Sequence, residues 1–352
     1  MSFTPYNAPL LSGLLGDMEI AAHFSVQADI KAMLEFEKSL AVAQAAYGLI
    51  LEENAEAIRL ACERFEPDMP LLQQGVVRDG MAVPEFVRQL QEACGETAGE
   101  YLHLGSTSQD VVDTSLCTRL VAVNEFLSSR LKEVIGSIND LQKAYGEREL
   151  MARTRMQAAL PVKVSDRLQL WRRPLERRLE MFDEIKRHLH VVQLGGPVGT
   201  LSAMGETGSE VRRKLAELLN LNDPGECWHT DRTRLSDYCN WLSAICAALG
   251  KIGQDIVLMA QNGLDELAFD QAGGSSAMAH KQNPVKAEVL VANARFAATL
   301  NSGIQHNAVH EQERSGSAWT FEWMIVPQLC VVTGASLRNA HLLLKSVKNI
   351  AG

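Results

Sequence analysis

The sequence predicts an all-α protein built from long helices that lie side by side in a bundle. Two segments, near residues 110–147 and 235–259, repeat apolar residues at alternating steps of three and four, which is the heptad pattern of packed helices. Aromatic residues make up only 6% of the 352 residues, and the 25 Gly and 11 Pro are slightly fewer than is usual in globular proteins. No segment alternates apolar and polar residues strongly enough to predict a central sheet.

The segment near 235–259 carries the clearest heptad pattern. Gly250 and Gly253 flank its apolar positions, and small residues there would let a neighbouring helix come close. The pattern therefore predicts a helix whose apolar seam packs against other helices. The seam consists of Leu235, Tyr238, Leu242, Ile245, Leu249, Ile252, Ile256 and Met259.

The segment near 110–147 predicts a helix on the order of 55 Å long, at about 1.5 Å per residue. This exceeds the width of a small compact domain, so we expect helices of this length to pack lengthwise against one another. We predict further helices near 28–47, 51–64, 83–95, 165–190, 207–220, 284–312 and 320–348. Four loops between helices have room for chemistry: His103–Asp110, Ala152–Lys163, Leu194–Thr200 and Gln271–Pro284.

The composition excludes several classes of protein. The formal net charge is −9, and no run of Lys and Arg offers the basic cluster that nucleic-acid binding requires. Residues 1–30 contain no Lys or Arg, and no stretch of about 18 apolar residues occurs, so we expect no secretory leader, no membrane contact and a cytoplasmic location. The cysteines are scattered without a C-x-x-C pair, which predicts reduced thiols that serve as small core residues. They are Cys62, Cys94, Cys117, Cys227, Cys239, Cys246 and Cys330.

The segment HLGSTSQDVVDT, residues 103–114, begins the first long helix. Thr107 and Asp110 form a T-x-x-D capping pattern, so backbone N–H groups, hydroxyls and the positive end of a helix dipole converge there. Such a helix start suits a carboxylate or a phosphate. The segment is read either as this anion cradle or as an ordinary helix cap.

The segment ARTRMQAALPVK, residues 152–163, concentrates positive charge. Arg153, Arg155 and Lys163 lie close together in the sequence, and Arg forks suit planar carboxylates. A solvated basic loop is the alternative interpretation.

The segment GGSSAMAHKQNP, residues 273–284, combines two glycines with hydroxyl, imidazole and ammonium groups. Asn283 and Pro284 are typical of the N-cap and the first position of the next helix. We interpret this long loop as a lid that closes over a substrate.

These segments together resemble the superfamily of fumarase, aspartase and adenylosuccinate lyase. The lid is similar to its signature GSS-x-M-P-x-K-x-N-P, TSQDVVDT to its first shared segment, ARTRMQAALP to its second, and LGGPVGT to a Gly-rich stretch between them. Within it, CWHTDRTRLSDY (227–238) and HEQERSGSAWTFEW (310–323) resemble a branch of bacterial cycloisomerases, which form a lactone from 3-carboxy-cis,cis-muconate in protocatechuate breakdown.

The resemblance implies an all-α homotetramer with a central helix bundle, in which each active site combines segments from three subunits. The heptad seam would then form the core of the oligomer. It also implies an intramolecular lyase: a carboxylate of a small tricarboxylate adds to a conjugated double bond, and the resulting aci-carboxylate is protonated at carbon. This chemistry needs no cofactor and no metal.

By position, the resemblance implies that Ser275 delivers the proton to carbon, with Lys281 stabilising its alkoxide. His103 and His229 are weaker candidates, as histidines near the site. The residues implied to bind the substrate are His103, Thr107, Ser108, Arg153, Thr154, Arg155, Gln157, His229, Ser276 and Asn283.

The chain departs from the family pattern at Arg155. In adenylosuccinate and argininosuccinate lyases the second segment reads R-T-H, and the histidine is the acid for the leaving group. Arginine stays protonated and cannot serve as that acid, whereas an internal carboxylate nucleophile needs none. The cycloisomerase branch usually has an aromatic residue at this position, so Arg155 departs from that branch too and indicates an extra anionic contact. We expect Arg153 and Arg155 to share the carboxylates of the substrate, and analogues with a sulfonate in place of a carboxylate to be accepted.

Two further departures concern the lid and the chain end. Ala279 replaces the usual Pro of M-P-x-K, which removes a backbone restraint. The chain reaches Gly352, where most relatives continue into a small helical domain, so we expect that domain to be largely missing. The expected organisation is an N-terminal helical domain at 1–104, the bundle with the lid 271–284 at 105–345, and a short tail at 346–352.

Two other functions remain open at this point. A lyase of the adenylosuccinate type, which releases fumarate, is disfavoured by Arg155. A non-catalytic structural protein is also conceivable, since the superfamily includes eye-lens crystallins, but the joint presence of Ser275, Lys281 and Asn283 argues against it.

Overall fold

Long helices dominate the computed structural model, which describes residues 4–270, 273–274, 277–278 and 281–351. A short 3₁₀ helix, Ser202–Thr207, precedes α11. The helices and strands are α1 Ser12–Leu15, α2 Met18–Ala22, α3 Val26–Ala46, α4 Glu52–Arg64, α5 Met69–Asp79, α6 Val83–Cys94, α7 Glu96–Gly99, α8 Ser108–Tyr145, β1 Glu149–Thr154, β2 Gln157–Lys163, α9 Val164–Glu180, α10 Phe182–Leu189, α11 Gly208–Leu219, α12 Thr233–Met259, β3 Leu267–Phe269, α13 Val285–His306, α14 Gly316–Lys345 and β4 Val347–Ile350.

Helix α8 confirms the first predicted long helix. Thr107 is its N-cap, and the carboxylate of Asp110 accepts a hydrogen bond from the backbone N–H of Thr107 at 3.0 Å, as the capping pattern predicts. With 38 residues, α8 spans about 57 Å. Its apolar stripe, including Leu120, Leu127 and Leu131, is fully buried in the core of the bundle.

Helix α12 contains the predicted heptad seam, but the seam lies in the core of this chain and not at an oligomer interface. All eight seam residues are at most 2% exposed within the single chain, so the expectation of an oligomer core there is wrong. Helix α13 covers the seam by approaching closely: a Cβ at Gly253 would lie 2.5 Å from the carbonyl of Ala287, and one at Gly250 would lie 2.5 Å from Cβ of Ala294.

The bundle has two distinct ends. At one end, the start of α12 meets the start of α8, where Arg232 binds Asp113 at 2.7 Å; we call this the capped end. Near the other end, Lys345 on α14 binds Asp140 on α8 at 2.8 Å. Helices α8, α12 and α14 therefore run in the same direction, and α9 and α13 return between them.

The predicted loop Ala152–Lys163 is instead a β-hairpin. It lies at the end of the bundle opposite the capped end, which we call the hairpin end. Strands β1 and β2 pair antiparallel, with Glu149 opposite Lys163. The two turn residues, Arg155 and Met156, have φ angles of 50° and 67°, as a two-residue type I′ turn requires. The loop prediction failed because only Leu150 in the two strands is fully buried and nearly all of β2 is exposed, so no apolar alternation marks them.

Strands β3 and β4 form a second small sheet at the hairpin end. Leu267 pairs with Ile350, whose carbonyl accepts a hydrogen bond at 3.1 Å from Arg148, just before β1. The segment 346–352, expected to be a tail, thus contributes a strand.

The base of the lid is closed by backbone hydrogen bonds. Gly273 and Asn283 exchange N–H to carbonyl bonds of 2.9 and 2.8 Å. Pro284, rather than the predicted Asn283, is the N-cap of α13. The side chain of Asn283 instead donates to the carbonyl of Gly274 at 3.2 Å, which ties the two arms of the lid together.

A second core lies outside the bundle and supports the capped end. It packs α3, α4, α6 and α11 around fully buried residues that include Phe36, Ile58, Phe86, Leu90 and Leu215. Two expectations in the helical part need correction. The helix predicted at 165–190 is broken at Met181 into α9 and α10, and α5 was not predicted.

Helices α12 and α14 are long and apolar enough to cross a membrane by length and composition alone. In each, the most apolar window is mostly buried within the protein, by 56% in α12 and 67% in α14. Both helices lie in the common core, and burial in this core accounts for their composition.

Candidate active site

Asp110 organises the capped end. Its carboxylate is fully buried and accepts backbone hydrogen bonds from Gly195 and Gly196, both at 2.9 Å, besides the bond from Thr107. One buried carboxylate thus joins the start of α8 to the Gly-rich loop 194–200. Gly196 adopts a φ of 72°, and a Cβ there would lie 2.8 Å from the carbonyl of Gly105, so this close approach requires a glycine.

His229 binds the same carboxylate. Its Nε2 lies 2.8 Å from Oδ1 of Asp110, and its side chain is 3% exposed. Burial lowers the pKa of His229, but hydrogen bonds to Asp110 and Cys227 and their negative charges outweigh burial and raise the pKa to about 9. At neutral pH, His229 is therefore a buried imidazolium.

His103 is a second histidine at the capped end. Its Nδ1 lies 2.6 Å from the carboxylate of Glu37 on α3, and its backbone φ is 62°. Burial lowers the pKa of His103, but the charge and the hydrogen bond of Glu37 raise it above its ordinary value. Glu37 lies on α3, 66 residues before His103 in the chain.

Thr107 and Ser108 lie at the start of α8, half-buried beside these histidines. The N–H groups of the first helical turn have no partner within the helix, and the helix dipole adds positive potential. The imidazolium of His229, the raised pKa of His103 and this helix start make the capped end a favourable place for a carboxylate.

The hairpin end holds the predicted arginines. The guanidinium of Arg153 binds the carboxylate of Glu266 and donates to the carbonyl of Met151 at 3.2 Å. Arg155 is exposed at the turn, and no hydrogen bond or ion pair joins its guanidinium to another described residue. Both arginines line a cavity of about 740 Å³ between the hairpin, α9 and α12. Thr154 ends β1 and Gln157 begins β2, and both are exposed.

The lid also belongs to the hairpin end, because its base continues from β3. Lys281 is exposed, and its backbone N–H donates to the carbonyl of Met278 at 3.1 Å. Ser275 and Ser276, the predicted proton donor and its neighbour, lie outside the described residues, as does Ala279.

The structure therefore brings the predicted site residues together in two groups. His103, Thr107, Ser108 and His229 lie at the capped end, while the arginines, Lys281 and Asn283 lie at the hairpin end. Helix α8, about 57 Å long, separates the two groups in one chain. No small molecule spans that distance, so one chain cannot offer both groups to one substrate.

Sequence reasoning missed four residues of the capped end. Asp110 was read only as a capping residue, although a buried carboxylate at this position explains the helix start and the glycine loop together. Glu37, Gln193 and Cys227 have no local pattern. Glu37 contacts His103, 66 residues away, and Gln193 contacts Asp110 and Cys227, 83 and 34 residues away. The nearest signal for Cys227 was its position two residues before His229.

The comparisons with known proteins agree with this architecture. A family model described as lyase matches residues 17–297, which is most of the chain. The chain belongs to this lyase family. The buried capped end and the hairpin described above both fall within the matched range.

Individual members of the lyase family are similar over nearly the whole chain. A 3-carboxy-cis,cis-muconate cycloisomerase of Pseudomonas aeruginosa is 35% identical over 93% of this chain and 72% of its own length. Among solved structures, the 3-carboxy-cis,cis-muconate lactonizing enzyme of Pseudomonas putida matches with a TM-score of 0.90 and 30% identity, over 97% of this chain and 77% of that one. A fumarate lyase of Mesorhizobium sp. BNC1 matches with a TM-score of 0.89 and 30% identity, over 96% and 76%.

Proposed function

We propose that this chain is a cycloisomerase that converts 3-carboxy-cis,cis-muconate to its lactone, 4-carboxymuconolactone. The observation that carries this proposal is Arg155, an exposed cation that pairs with no other described residue. At this position, lyases of the superfamily carry a histidine that acts as the general acid for the leaving group. A guanidinium can bind an anion but cannot protonate a leaving group. A reaction without a leaving group fits this hairpin.

The reaction is an isomerisation in which no atom leaves. A carboxylate oxygen of the substrate adds to the conjugated double bond and closes a five-membered ring. The electron pair moves onto the neighbouring carbon and its carboxylate, and a proton is then delivered to that carbon. Ser275 is the proposed proton donor, and the ammonium of Lys281 would stabilise the alkoxide that remains.

The remaining candidates bind and orient the tricarboxylate. The start of α8, with His103 and the imidazolium of His229 at the capped end, would hold one carboxylate. Arg155 at the hairpin turn would hold another, and Arg153 would join it if the substrate displaces Glu266 from its guanidinium. These cations explain how a chain with a net charge of −9 takes a tricarboxylate.

We further propose a homotetramer in which each site combines residues from several subunits. The support is the length of α8: two α8 helices packed antiparallel across a twofold axis bring the capped end of one subunit to the hairpin end of the other. The seven free cysteines favour a reducing compartment, and we propose a cytoplasmic location.

A direct assay tests the proposed reaction. Purified protein is mixed with 3-carboxy-cis,cis-muconate, the loss of diene absorbance is followed in the ultraviolet, and the product is examined by NMR in D₂O. We expect a product of unchanged composition with one carbon-bound deuterium. No loss of the diene, together with release of fumarate from adenylosuccinate, would overturn the proposal in favour of the lyase.

Two variants examine the proton donor. Ser275→Ala should nearly abolish turnover, whereas Gln282→Ala, a larger truncation elsewhere in the lid, should keep it. Sedimentation of both variants as the same oligomer as the unmodified protein would show that assembly is unaffected. Near-normal turnover by Ser275→Ala would remove Ser275 from its proposed role.

A further inference from the structure

Cys227 lies between the imidazolium of His229 and the Gly-rich loop. The side chain of Gln193 donates a hydrogen bond to its sulfur at 3.3 Å, and both the ring and the backbone N–H of His229 hydrogen-bond to the same sulfur. His229 is in turn held by Asp110 at 2.8 Å. A sulfur nucleophile, a histidine and an orienting carboxylate are therefore connected in sequence, the arrangement that activates a thiol.

The sulfur is also closely surrounded by glycines. A Cβ at Gly195 would lie 2.5 Å from the sulfur of Cys227, and one at Gly199 would lie 3.2 Å from it. Cys227 nevertheless remains only half-buried.

Cys227 differs from the other six cysteines, all of which lie in the described part of the chain. Five are buried, and burial raises the pKa of each of their thiols. Cys94 is half-buried like Cys227, but burial and Glu37 raise its pKa to about 11. For Cys227, burial raises the pKa, but the hydrogen bonds from His229 outweigh burial and hold the pKa below its ordinary value.

We propose that Cys227 is a redox-sensitive modification site, whose thiolate reacts with small neutral hydroperoxides and whose oxidation inactivates the neighbouring capped end. The thiolate attacks the terminal oxygen of the hydroperoxide, the O–O bond breaks, and an alkoxide, or hydroxide when the oxidant is hydrogen peroxide, leaves while a sulfenic acid forms on Cys227. With hydrogen peroxide as the oxidant, the hydroxide takes up a proton to give water. A thiol reductant reverses the change through a disulfide intermediate.

Oxidation acts on the capped end in two ways. It removes the negative charge that faces His229, and it adds an oxygen to a sulfur that already lies close to Gly195. The glycine loop must then shift, and its two hydrogen bonds to Asp110 shift with it. The expected loss of turnover rests on the proposed function, whereas the reactivity of the thiolate does not.

The reactivity is tested on the unmodified full-length protein with iodoacetamide, a small neutral alkylating agent. Labelling rates at Cys227 and Cys94 are measured by peptide mass spectrometry between pH 5 and pH 10. We expect Cys227 to label at least about tenfold faster than Cys94 at pH 7, with a midpoint below about 8.5, the usual value for cysteine. Equal rates, or a midpoint for Cys227 at or above the usual value, would overturn the proposal.

Peroxide treatment tests the functional consequence. Hydrogen peroxide should reduce turnover of 3-carboxy-cis,cis-muconate at least about fivefold, with recovery after dithiothreitol. The turnover of each variant after peroxide treatment is compared with its own untreated turnover. Cys227→Ala should keep its turnover after the treatment, and Cys94→Ala should lose as much turnover as the unmodified protein. Equal sensitivity of all three contradicts the proposal. If the untreated protein does not turn over muconate, the proposed function fails, and the labelling experiment alone decides on Cys227.

Discussion

The substitution Asp110→Asn examines the residue that joins the capped end together. Each carboxylate oxygen of Asp110 accepts two short hydrogen bonds: Oδ1 faces Gly195 and His229, and Oδ2 faces Gly196 and Thr107, all at 2.8–3.0 Å. Gln193 and Ser106 add longer bonds of 3.4 and 3.5 Å. An asparagine has only one oxygen, so its NH₂ group faces two donors in either orientation. The variant therefore loses two hydrogen bonds and leaves buried donors without a partner.

The magnitude follows from these contacts. Hydrogen bonds to a charged group contribute about 1.5–3 kcal/mol each, so the loss of two should lower the free energy of unfolding by about 3–6 kcal/mol. A change of this size is exceptional for a substitution that alters hardly any volume. It depends on the burial of Asp110, whose side chain is 0% exposed.

The assay is urea unfolding followed by circular dichroism at a fixed protein concentration. Asp140→Asn is the matched control, because it makes the same chemical change on α8 at an exposed ion pair with Lys345 and should have little effect. If the unfolding free energy of Asp110→Asn equals that of Asp140→Asn within error, Asp110 is not the hub that its hydrogen bonds indicate.

Three further predictions concern the hairpin, the helix contacts and the histidines. Arg155→Trp should lower kcat/KM for 3-carboxy-cis,cis-muconate about tenfold or more beyond any loss for cis,cis-muconate, which lacks the third carboxylate. The variant should also change the preference between carboxylate and sulfonate analogues. An unchanged substrate profile contradicts the role of Arg155 in binding an anionic group. Gly253→Ala should destabilise the protein by about 1–3 kcal/mol, because the new Cβ meets the α13 backbone at 2.5 Å, whereas Gly136→Ala, with no atom within 4 Å of its Cβ, should stabilise α8 by about 0.5–1 kcal/mol; similar effects of the two in thermal unfolding would refute the contact. NMR titration should give a midpoint of about 9 for His229 and of about 4 for His190, whose pKa is lowered by burial and by a nearby lysine. Since the folded pKa of His229 is raised, the contribution of its charged form to the free energy of unfolding is complete below about pH 6.5 and is lost as the pH rises through about 9. The pH dependence of the unfolding free energy is measured in Cys227→Ala, which removes the coupled thiol. A flat profile over this window would be inconsistent with the His229–Asp110 pair.

The long helices could be predicted because their information is local. Apolar residues at steps of three and four mark α8 and α12 within one or two residues of their ends. The pattern shows that the seam on α12 is buried, but not which helix buries it. Its assignment to an oligomer interface failed because α13 packs against Gly250 and Gly253 from within the same chain.

The hairpin and the capped end could not be predicted in the same way. The hairpin is exposed on most of both faces and places Arg155 and Met156, rather than Asn-Gly, at the positive φ angles of its turn. The capped end depends on contacts between segments that start near Thr107, Gln193 and Cys227. Only the three-dimensional structure brings these segments together around one carboxylate.

The most direct test of the account is complementation between the two ends of the bundle. Ser275→Ala, in the lid at the hairpin end, and His229→Gln, at the capped end, are each expected to be nearly inactive on 3-carboxy-cis,cis-muconate. If every site takes these two residues from different subunits, hybrids of the two variants, isolated through two different tags, contain sites with both residues intact. A random equal mixture should then regain about a quarter of the normal activity. Hybrids that stay as inactive as their parents, while hybrids of each variant with unmodified subunits are active, would contradict a site shared between subunits.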